Sequence, residues 1–185
     1  MRAFIAIELS EPIRDALAKT QTSLKYAGAD VKWIGKDNIH LTLKFLGEIS
    51  EDKAEQVATA LDDITKETKP FDISLKDLGA FPAIDHPRVI WVGLDKGAKE
   101  STELAKKIDE ALSKLGFQEE SRPFAAHLTI GRVRSGLNRT ALVEKMKSYQ
   151  LSAISFQLIK SIALFKSTFT PKGPIYVKLH EAKLA

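Results

Sequence analysis

The alternation of apolar and polar positions along the chain predicts a mixture of strands and helices. Apolar residues that alternate with polar ones predict strands, whereas apolar residues three or four positions apart predict helices. The predicted strands are 2–9, 31–35, 39–47, 71–81, 88–94, 127–133, 154–167 and 175–182. The predicted helices are 10–26, 50–64, 97–115 and 138–149. Ser10 and Ser50 are expected as N-caps, and Pro82 is expected to end the fourth strand.

This order of elements predicts an α+β fold. Many of the strands have a period of two, which is typical of antiparallel sheets with one solvated face. A chain of 185 residues can form one sizeable domain or two small lobes that share an interface. Because no low-complexity segment or linker interrupts the sequence, we expect a single domain over residues 1–185.

Composition and charge exclude some kinds of functional site but do not identify one. The 28 basic and 24 acidic residues leave a net charge of +4, a mild bias toward an anionic partner such as RNA or a phosphorylated small molecule. The chain has no cysteine, which excludes disulfides, zinc–thiolate sites and cysteine nucleophiles. No apolar run is long enough for a signal peptide or a membrane span, so a cytoplasmic protein is expected.

One tetrapeptide pattern, H-L-T-[L/I], occurs twice, beginning at His40 and at His127. The chain has only four histidines, so two matching copies are improbable by chance. Residues two apart in a strand point to the same face, which places Thr42 beside His40 and Thr129 beside His127. Two similar lobes that each contribute one motif strand would bring two imidazoles and two hydroxyls into one groove.

This set of groups favours general acid–base catalysis. Hydrolytic zinc sites usually need a third protein ligand, and a serine-type triad needs a nucleophile and a carboxylate that the motifs do not supply. One neutral imidazole can accept a proton from an attacking oxygen while a protonated one donates to the leaving oxygen. Hydroxyls can bind the non-bridging oxygens of a phosphoryl group. The pattern therefore predicts cleavage of a phosphodiester, without metal or cofactor.

The paired H-x-T-x motifs resemble the signature of the two-histidine phosphoesterase superfamily. The segments VKWIGKDNIHLTLKFLGE, PRVIWVGL and RPFAAHLTIGRVR are similar to its RNA 2′,3′-cyclic phosphodiesterase branch, historically called 2′-5′ RNA ligases. The resemblance implies a bilobal fold in which two antiparallel sheets, related by pseudo-two-fold symmetry, face a central groove with helices outside. Ala126 departs from the branch, whose members commonly have proline before the second motif histidine.

The resemblance also implies a reaction and its residues. An RNA 2′,3′-cyclic phosphate end would be hydrolysed to a 2′-phosphate, with His40 as general acid and His127 as general base. Thr42 and Thr129 would bind the phosphate. Joining of such an end to a 5′-hydroxyl, with a 2′-5′ linkage, stays open. The implied partners are RNA 3′ ends, including tRNA fragments, or cyclic nucleotides, and a monomer without a cofactor is expected.

Two basic residues close to the motifs are candidate substrate contacts. Strict alternation places Lys44 on the face of Thr42, near the phosphate, although a solvated surface lysine explains it equally well. Arg132 falls on the face opposite His127 unless the strand is irregular. Gly131 could host a β-bulge that redirects Arg132 into the groove.

Two alternative functions stay open, and several aromatic residues are candidates for contact with a base. The same fold could bind a nucleotide or an RNA end without turnover, or the two histidines could serve a metallohydrolase. Aromatic side chains near the groove could stack on a base, although such residues belong to the core more often. The candidates are Trp33, Phe45, Trp91, Phe124 and Phe165.

Overall fold

The computed structural model describes residues 1–151 and 156–185 and confirms the α+β class. The strands are β1 (Arg2–Glu8), β2 (Val31–Trp33), β3 (His40–Glu48), β4 (Phe71–Ala83), β5 (His86–Leu94), β6 (His127–Val133), β7 (Phe156–Ile159), β8 (Ser161–Thr170) and β9 (Gly173–Lys183). The helices are α1 (Glu11–Lys25), α2 (Glu51–Lys66), α3 (Ala98–Ser113) and α4 (Arg139–Ser148). A short 3₁₀ turn, Lys36–Asn38, leads into β3.

The strands form two antiparallel sheets, each of which contains one motif strand. The first, here called the His40 sheet, has the order β3-β1-β8-β9. The second, here called the His127 sheet, has the order β2-β6-β5-β4-β7. The two motif strands, β3 and β6, contact each other across the molecule. Strands β3 and β6 are therefore neighbours, although they belong to different sheets.

The two sheets are interleaved along the chain. The chain passes from one sheet to the other after β1, after β2, after β3 and after β7. A side chain of β7 reinforces this connection, because Gln157 Nε2 donates to the carbonyl of Glu8 at 2.9 Å and the amide of Ser10 donates to Gln157 Oε1 at 2.8 Å. The two lobes are therefore connected both by the chain, where it passes between the sheets, and by direct hydrogen bonds.

Burial explains why β1 is a central strand. Ile5 and Ile7 pack in the main core, whereas Phe4 and Ala6 are buried on the opposite face. On the helices, apolar residues at helical spacing are fully buried, and each such side chain contributes about 1.5–3 kcal/mol on burial. Helices α2 and α3 contact β9 and β3 of the His40 sheet, and α1 contacts β6 and β7 of the other. In the part of the chain that the structure describes, no helix is long and apolar enough to cross a membrane.

The two predicted N-caps differ in their bonding. Ser50 Oγ accepts from the amide of Lys53 at 3.1 Å, as expected of an N-cap serine. Ser10 precedes α1 directly, but its side chain makes no capping bond among the described residues. Its backbone amide bonds to Gln157 Oε1, which ties the start of α1 to β7.

Two strand predictions were wrong. Pro82 does not end β4, which continues to Ala83. Among residues 1–151 and 156–185, β7 pairs only with Phe71–Ser74, so no strand pairs with the far end of β4 on that side and proline there removes no ladder hydrogen bond. The strand predicted at 154–167 is two strands, β7 and β8, which belong to different sheets and are separated at Lys160. Its first two positions, 154 and 155, lie outside the described residues.

Candidate active site

The His40 ring is held against an aromatic wall of the His40 sheet. It stacks on Phe4, with ring centroids 4.7 Å apart and 23° between planes, and meets Tyr176 edge-on at 5.3 Å. Its Nδ1 lies 2.8 Å from the carbonyl oxygen of Asn38. The ring is thus fixed on three sides, while Nε2 is the nitrogen left for chemistry.

His127 has a matching arrangement in the other sheet. Its Nδ1 lies 2.6 Å from the carbonyl oxygen of Ala125, two residues upstream, as Asn38 is two residues upstream of His40. The ring meets Phe81 edge-on, with centroids 5.1 Å apart. In each motif the backbone carbonyl accepts from Nδ1–H, which selects the tautomer whose free nitrogen is Nε2. Both imidazoles can therefore accept or donate a proton through Nε2.

The motif threonines occupy the same faces as their histidines. Thr42 is half-buried opposite Ala6, and Thr129 is half-buried opposite Trp91. The leucine between each histidine and threonine is fully buried in the core. Alternation along the strand therefore puts the imidazole and the hydroxyl of each motif on the same face of its strand.

A β-bulge follows the threonine in both motif strands. In β6 the register jumps between Thr129 and Gly131, so that Ile130 is the extra residue and both Ile130 and Gly131 are buried. The Ile130 carbonyl accepts from the buried amide of Gln21, at 2.9 Å, and from the amide of Ile34. A bulge reverses the facing of later residues. Arg132 consequently shares the groove side with His127, which agrees with the Gly131 prediction.

In β3 the register jumps in the same way between Thr42 and Lys44. Leu43 and Lys44 are both buried, and Phe45 is the next residue on the groove face, with 69% of its surface exposed. Arg132 and Phe45 each stand five positions after their motif histidine. The two lobes therefore present an arginine and a phenylalanine at corresponding positions.

The placement of Lys44 beside the phosphate was wrong. Because of the bulge its side chain points toward α3, where Nζ lies 2.5 Å from Asp109 Oδ1 and 3.0 Å from the carbonyl of Gln118. Glu120 adds a second carboxylate at 3.6 Å, and the Lys44 side chain is only 3% exposed. Lys44 is therefore an internal ion-pair residue that joins β3 to α3.

Tyr176 is a groove residue that the sequence patterns did not single out. It lies on β9, half-buried and edge-on to the His40 ring. Burial raises the pKa of the Tyr176 phenol, and the Arg132 guanidinium opposes that rise. No local signal marks it, since β9 reaches His40 only because the β8–β9 hairpin curls across the sheet. Phe4 on β1 and Phe81 on β4, which contact His40 and His127, were not singled out either.

The electrostatic environment of His40 favours its neutral form. Burial among aromatic rings lowers the pKa of His40, and the hydrogen bond to Asn38 partly offsets the effect.

The aromatic residues that were candidates for base stacking divide between the face that carries His40 and the core. Phe45 and Phe165 lie on the groove face, whereas Trp33 and Phe124 pack against the main core. Trp91 lies beside Phe81, with ring centroids 5.4 Å apart.

Across residues 1–151 and 156–185, no three histidine, aspartate or glutamate side chains are placed to hold a metal ion. The two motif strands instead carry two imidazoles, two hydroxyls and one guanidinium, and the Tyr176 phenol contacts the His40 ring. This set can transfer protons and bind a phosphoryl anion.

Comparison with known proteins identifies relatives over the whole chain. The family model described as LigT like Phosphoesterase matches twice, over residues 7–91 and 92–176, and each match contains one H-x-T motif. The RNA 2′,3′-cyclic phosphodiesterase of Methanothermobacter thermautotrophicus is 34% identical over 184 residues, covering 100% of this chain and 99% of the relative. That of Methanocaldococcus jannaschii is 39% identical over 181 residues, covering 98% and 99%. Among solved structures, TT0787 of Thermus thermophilus matches with a TM-score of 0.82 at 25% identity, covering 100% and 98%.

Proposed function

The chain belongs to the LigT-like phosphoesterase family, and from that premise we propose that it is an RNA 2′,3′-cyclic phosphodiesterase that leaves a 2′-phosphate by paired-histidine catalysis. The observation that carries the mechanism is the matched anchoring of His40 and His127. Each Nδ1 is bonded to a backbone carbonyl two residues upstream, which leaves each Nε2 for proton transfer.

The proposed reaction is a single in-line displacement at phosphorus. His127 Nε2 accepts a proton from water as the water oxygen attacks, and the bond between phosphorus and the 3′-oxygen breaks. His40 Nε2–H donates its proton to the departing 3′-oxygen. Thr42, Thr129 and Arg132 bind the non-bridging oxygens, where negative charge is concentrated in the transition state. Proton exchange with solvent then restores both histidines.

The lowered pKa of His40 is compatible with its role as acid. A lower pKa makes the imidazolium a stronger proton donor, although a smaller fraction is protonated at neutral pH. A bound cyclic phosphate carries one negative charge, and a nearby negative charge favours the protonated imidazole. Substrate binding therefore counteracts the effect of burial on His40 at the moment when the proton is needed.

The proposal also covers which molecules carry the cyclic phosphate and how many chains form the working enzyme. RNA 3′ ends, including those of tRNA fragments, and free cyclic nucleotides all carry the same reacting ring. A 5′-hydroxyl in the place of water would give a 2′-5′ linkage in the same displacement, so slow ligation is part of the proposal. One chain supplies both motifs, which supports a monomer as the working unit. Location in the cytoplasm stays a prediction.

The first test is hydrolysis of a short RNA that ends in a 2′,3′-cyclic phosphate. We expect a 2′-phosphate product and an unchanged rate in EDTA, since the proposed chemistry uses only side-chain groups. Chromatographic comparison of the product with 2′-phosphate and 3′-phosphate standards gives the position. Loss of turnover in EDTA would support the metallohydrolase reading, and binding of the RNA end without turnover would support the binding-module reading.

A substrate with sulfur in place of the 3′-oxygen should separate the acid from the base. A thiol has a pKa of about 8.5, so the thiolate can leave without a proton. We expect His40→Ala to lose at least about 100-fold on the oxygen substrate but no more than about 10-fold on the sulfur substrate. His127→Ala should lose at least about 100-fold on both. If His127→Ala rather than His40→Ala kept its activity on the sulfur substrate, His127 would be the acid and His40 the base.

A further inference from the structure

A glutamine occupies a core position of α1 and reaches the bulge of the second motif strand. Gln21 follows Ile13 and Leu17 at helical spacing on the buried face of the helix, and only 5% of its surface is exposed. A buried amide costs free energy unless it is hydrogen-bonded, so its partners indicate its purpose. We propose that Gln21 is a positioning residue, which holds the β6 bulge in the form that directs Arg132 toward the phosphate, an inference that rests on the proposed function.

The Gln21 amide donates to two backbone carbonyls at one point of the His127 sheet. Its Nε2 donates to the carbonyl of Ile130 at 2.9 Å and to the carbonyl of Ile34 at 2.8 Å. Ile130 is the extra residue of the bulge, and Ile34 directly follows β2, the strand beside β6. A glutamine amide has two N–H donors, and here each one serves a different strand. The side chain therefore ties α1 to both strands where the ladder is irregular.

The direction of Arg132 depends on where this bulge lies. Under strict alternation from Thr129, Arg132 would take the core face, and it would also do so if the extra residue lay beyond it. The extra residue of a bulge loses its place in the ladder, so its carbonyl needs other donors. The Ile130 carbonyl receives two, from the Ile34 amide at 3.0 Å and from Gln21. The Gln21 bond therefore stabilises the register that turns Arg132 to the groove.

The direction of Arg132 matters because its charge acts on the first motif from the second motif strand. Burial raises the pKa of the Tyr176 phenol, and the Arg132 guanidinium opposes that rise. Tyr176 in turn contacts the His40 ring, so the guanidinium lies within electrostatic reach of the first motif. Arginine binds phosphate oxygens through a planar fork whose strength depends on orientation. A bulge that is less firmly held should therefore weaken the contribution of Arg132.

The test is a double-mutant cycle on kcat/KM for an RNA 2′,3′-cyclic phosphate end. Gln21→Met keeps the length of the side chain but removes both donors. We expect Arg132→Met to lower kcat/KM at least about 100-fold, the usual cost of losing one donor to an oxygen that gains charge. Gln21→Met should cost about 10-fold, since it misplaces the guanidinium without removing it. In the Arg132→Met background the same change should cost less than about twofold, because Gln21 acts through Arg132.

The control is Thr20→Val, which removes a hydrogen-bonding group from the adjacent, fully buried residue of α1. The Thr20 hydroxyl bonds to the carbonyl of Ala16 and to the Tyr149 hydroxyl, away from β6. Thr20→Val should lower Tm, as Gln21→Met does, but leave kcat/KM within about twofold of the wild type. An undiminished loss from Gln21→Met in the Arg132→Met background, or no loss in the wild-type background, would overturn the inference.

Failure of the proposed function can be told apart from failure of this inference. If the wild type hydrolyses no RNA cyclic phosphate, the proposed function fails, and crystal structures of the two α1 variants decide the role of Gln21. Displacement of Arg132, or of the extra residue of β6, in Gln21→Met but not in Thr20→Val would support the positioning role. Displacement in both variants, or in neither, would overturn it.

Discussion

Replacement of either motif histidine by alanine is expected to lower kcat/KM for an RNA 2′,3′-cyclic phosphate end by at least about 100-fold, the usual contribution of a positioned acid or base. His40 and His127 are anchored in the same way through Nδ1, so neither can substitute for the other's Nε2 in the displacement. The measurement is steady-state hydrolysis at several pH values, with thermal melting to verify that each variant is folded.

The chain provides matched histidine controls. His86 is exposed at the start of β5, and His180 lies 2.8 Å from Asp62 on the outer side of β9. His86→Ala and His180→Ala should stay within about two- to threefold of the wild type, as they remove an imidazole outside the proposed machinery. The double variant of His40 and His127 should lose much less than the product of the single losses, because the two groups act in one step. Strict multiplication of the losses would contradict the concerted step.

Lys44→Met is expected to lower the free energy of unfolding by about 3 kcal/mol, since it leaves the Asp109 carboxylate without its buried partner. For a chain of this size the loss corresponds to a fall of roughly 6–12 °C in Tm. The value lies at the low end for broken buried pairs because the Asp109 side chain is 20% exposed and can recover some hydration. Chemical denaturation with urea gives the free energy directly.

The matched control is Lys66→Met. Lys66 also forms an ion pair, with Asp63 at 3.2 Å, but both side chains are about seven-tenths exposed. Its loss should cost no more than about 0.5 kcal/mol. Folded Lys44→Met should retain kcat/KM within a few-fold at low temperature. A stable Lys44→Met protein with greatly reduced activity would return Lys44 to the substrate groove.

The sequence predicted best what depends on neighbouring residues. Alternation along the strand placed Thr42 and Thr129 beside their histidines, and the serine before α2 caps that helix as expected. Gly131 marked the bulge that turns Arg132 toward the groove, because glycine within a strand is itself a signal of irregularity. Each of these features is determined within a few residues of the one concerned.

What the sequence could not predict depends on pairing between distant strands. The bulge at Leu43–Lys44 contains no glycine or proline, so strict alternation assigned Lys44 to the wrong face. The break at Lys160 interrupts a continuous apolar pattern, since the change of sheet needs no change of period. Tyr176 reaches the site only through the curl of the β8–β9 hairpin. Such tertiary features leave no local trace.

The interleaving of the sheets limits how the two halves of the chain can behave apart from each other. A fragment that ends near residue 92, where the two family matches meet, would contain β1 and β3 but lack β8. The inner edge of β1, with its apolar residues on both faces, would then be open to pairing with other chains. A half-length chain would therefore need a second copy to close that edge, whereas the full chain supplies the closing strand, β8, itself.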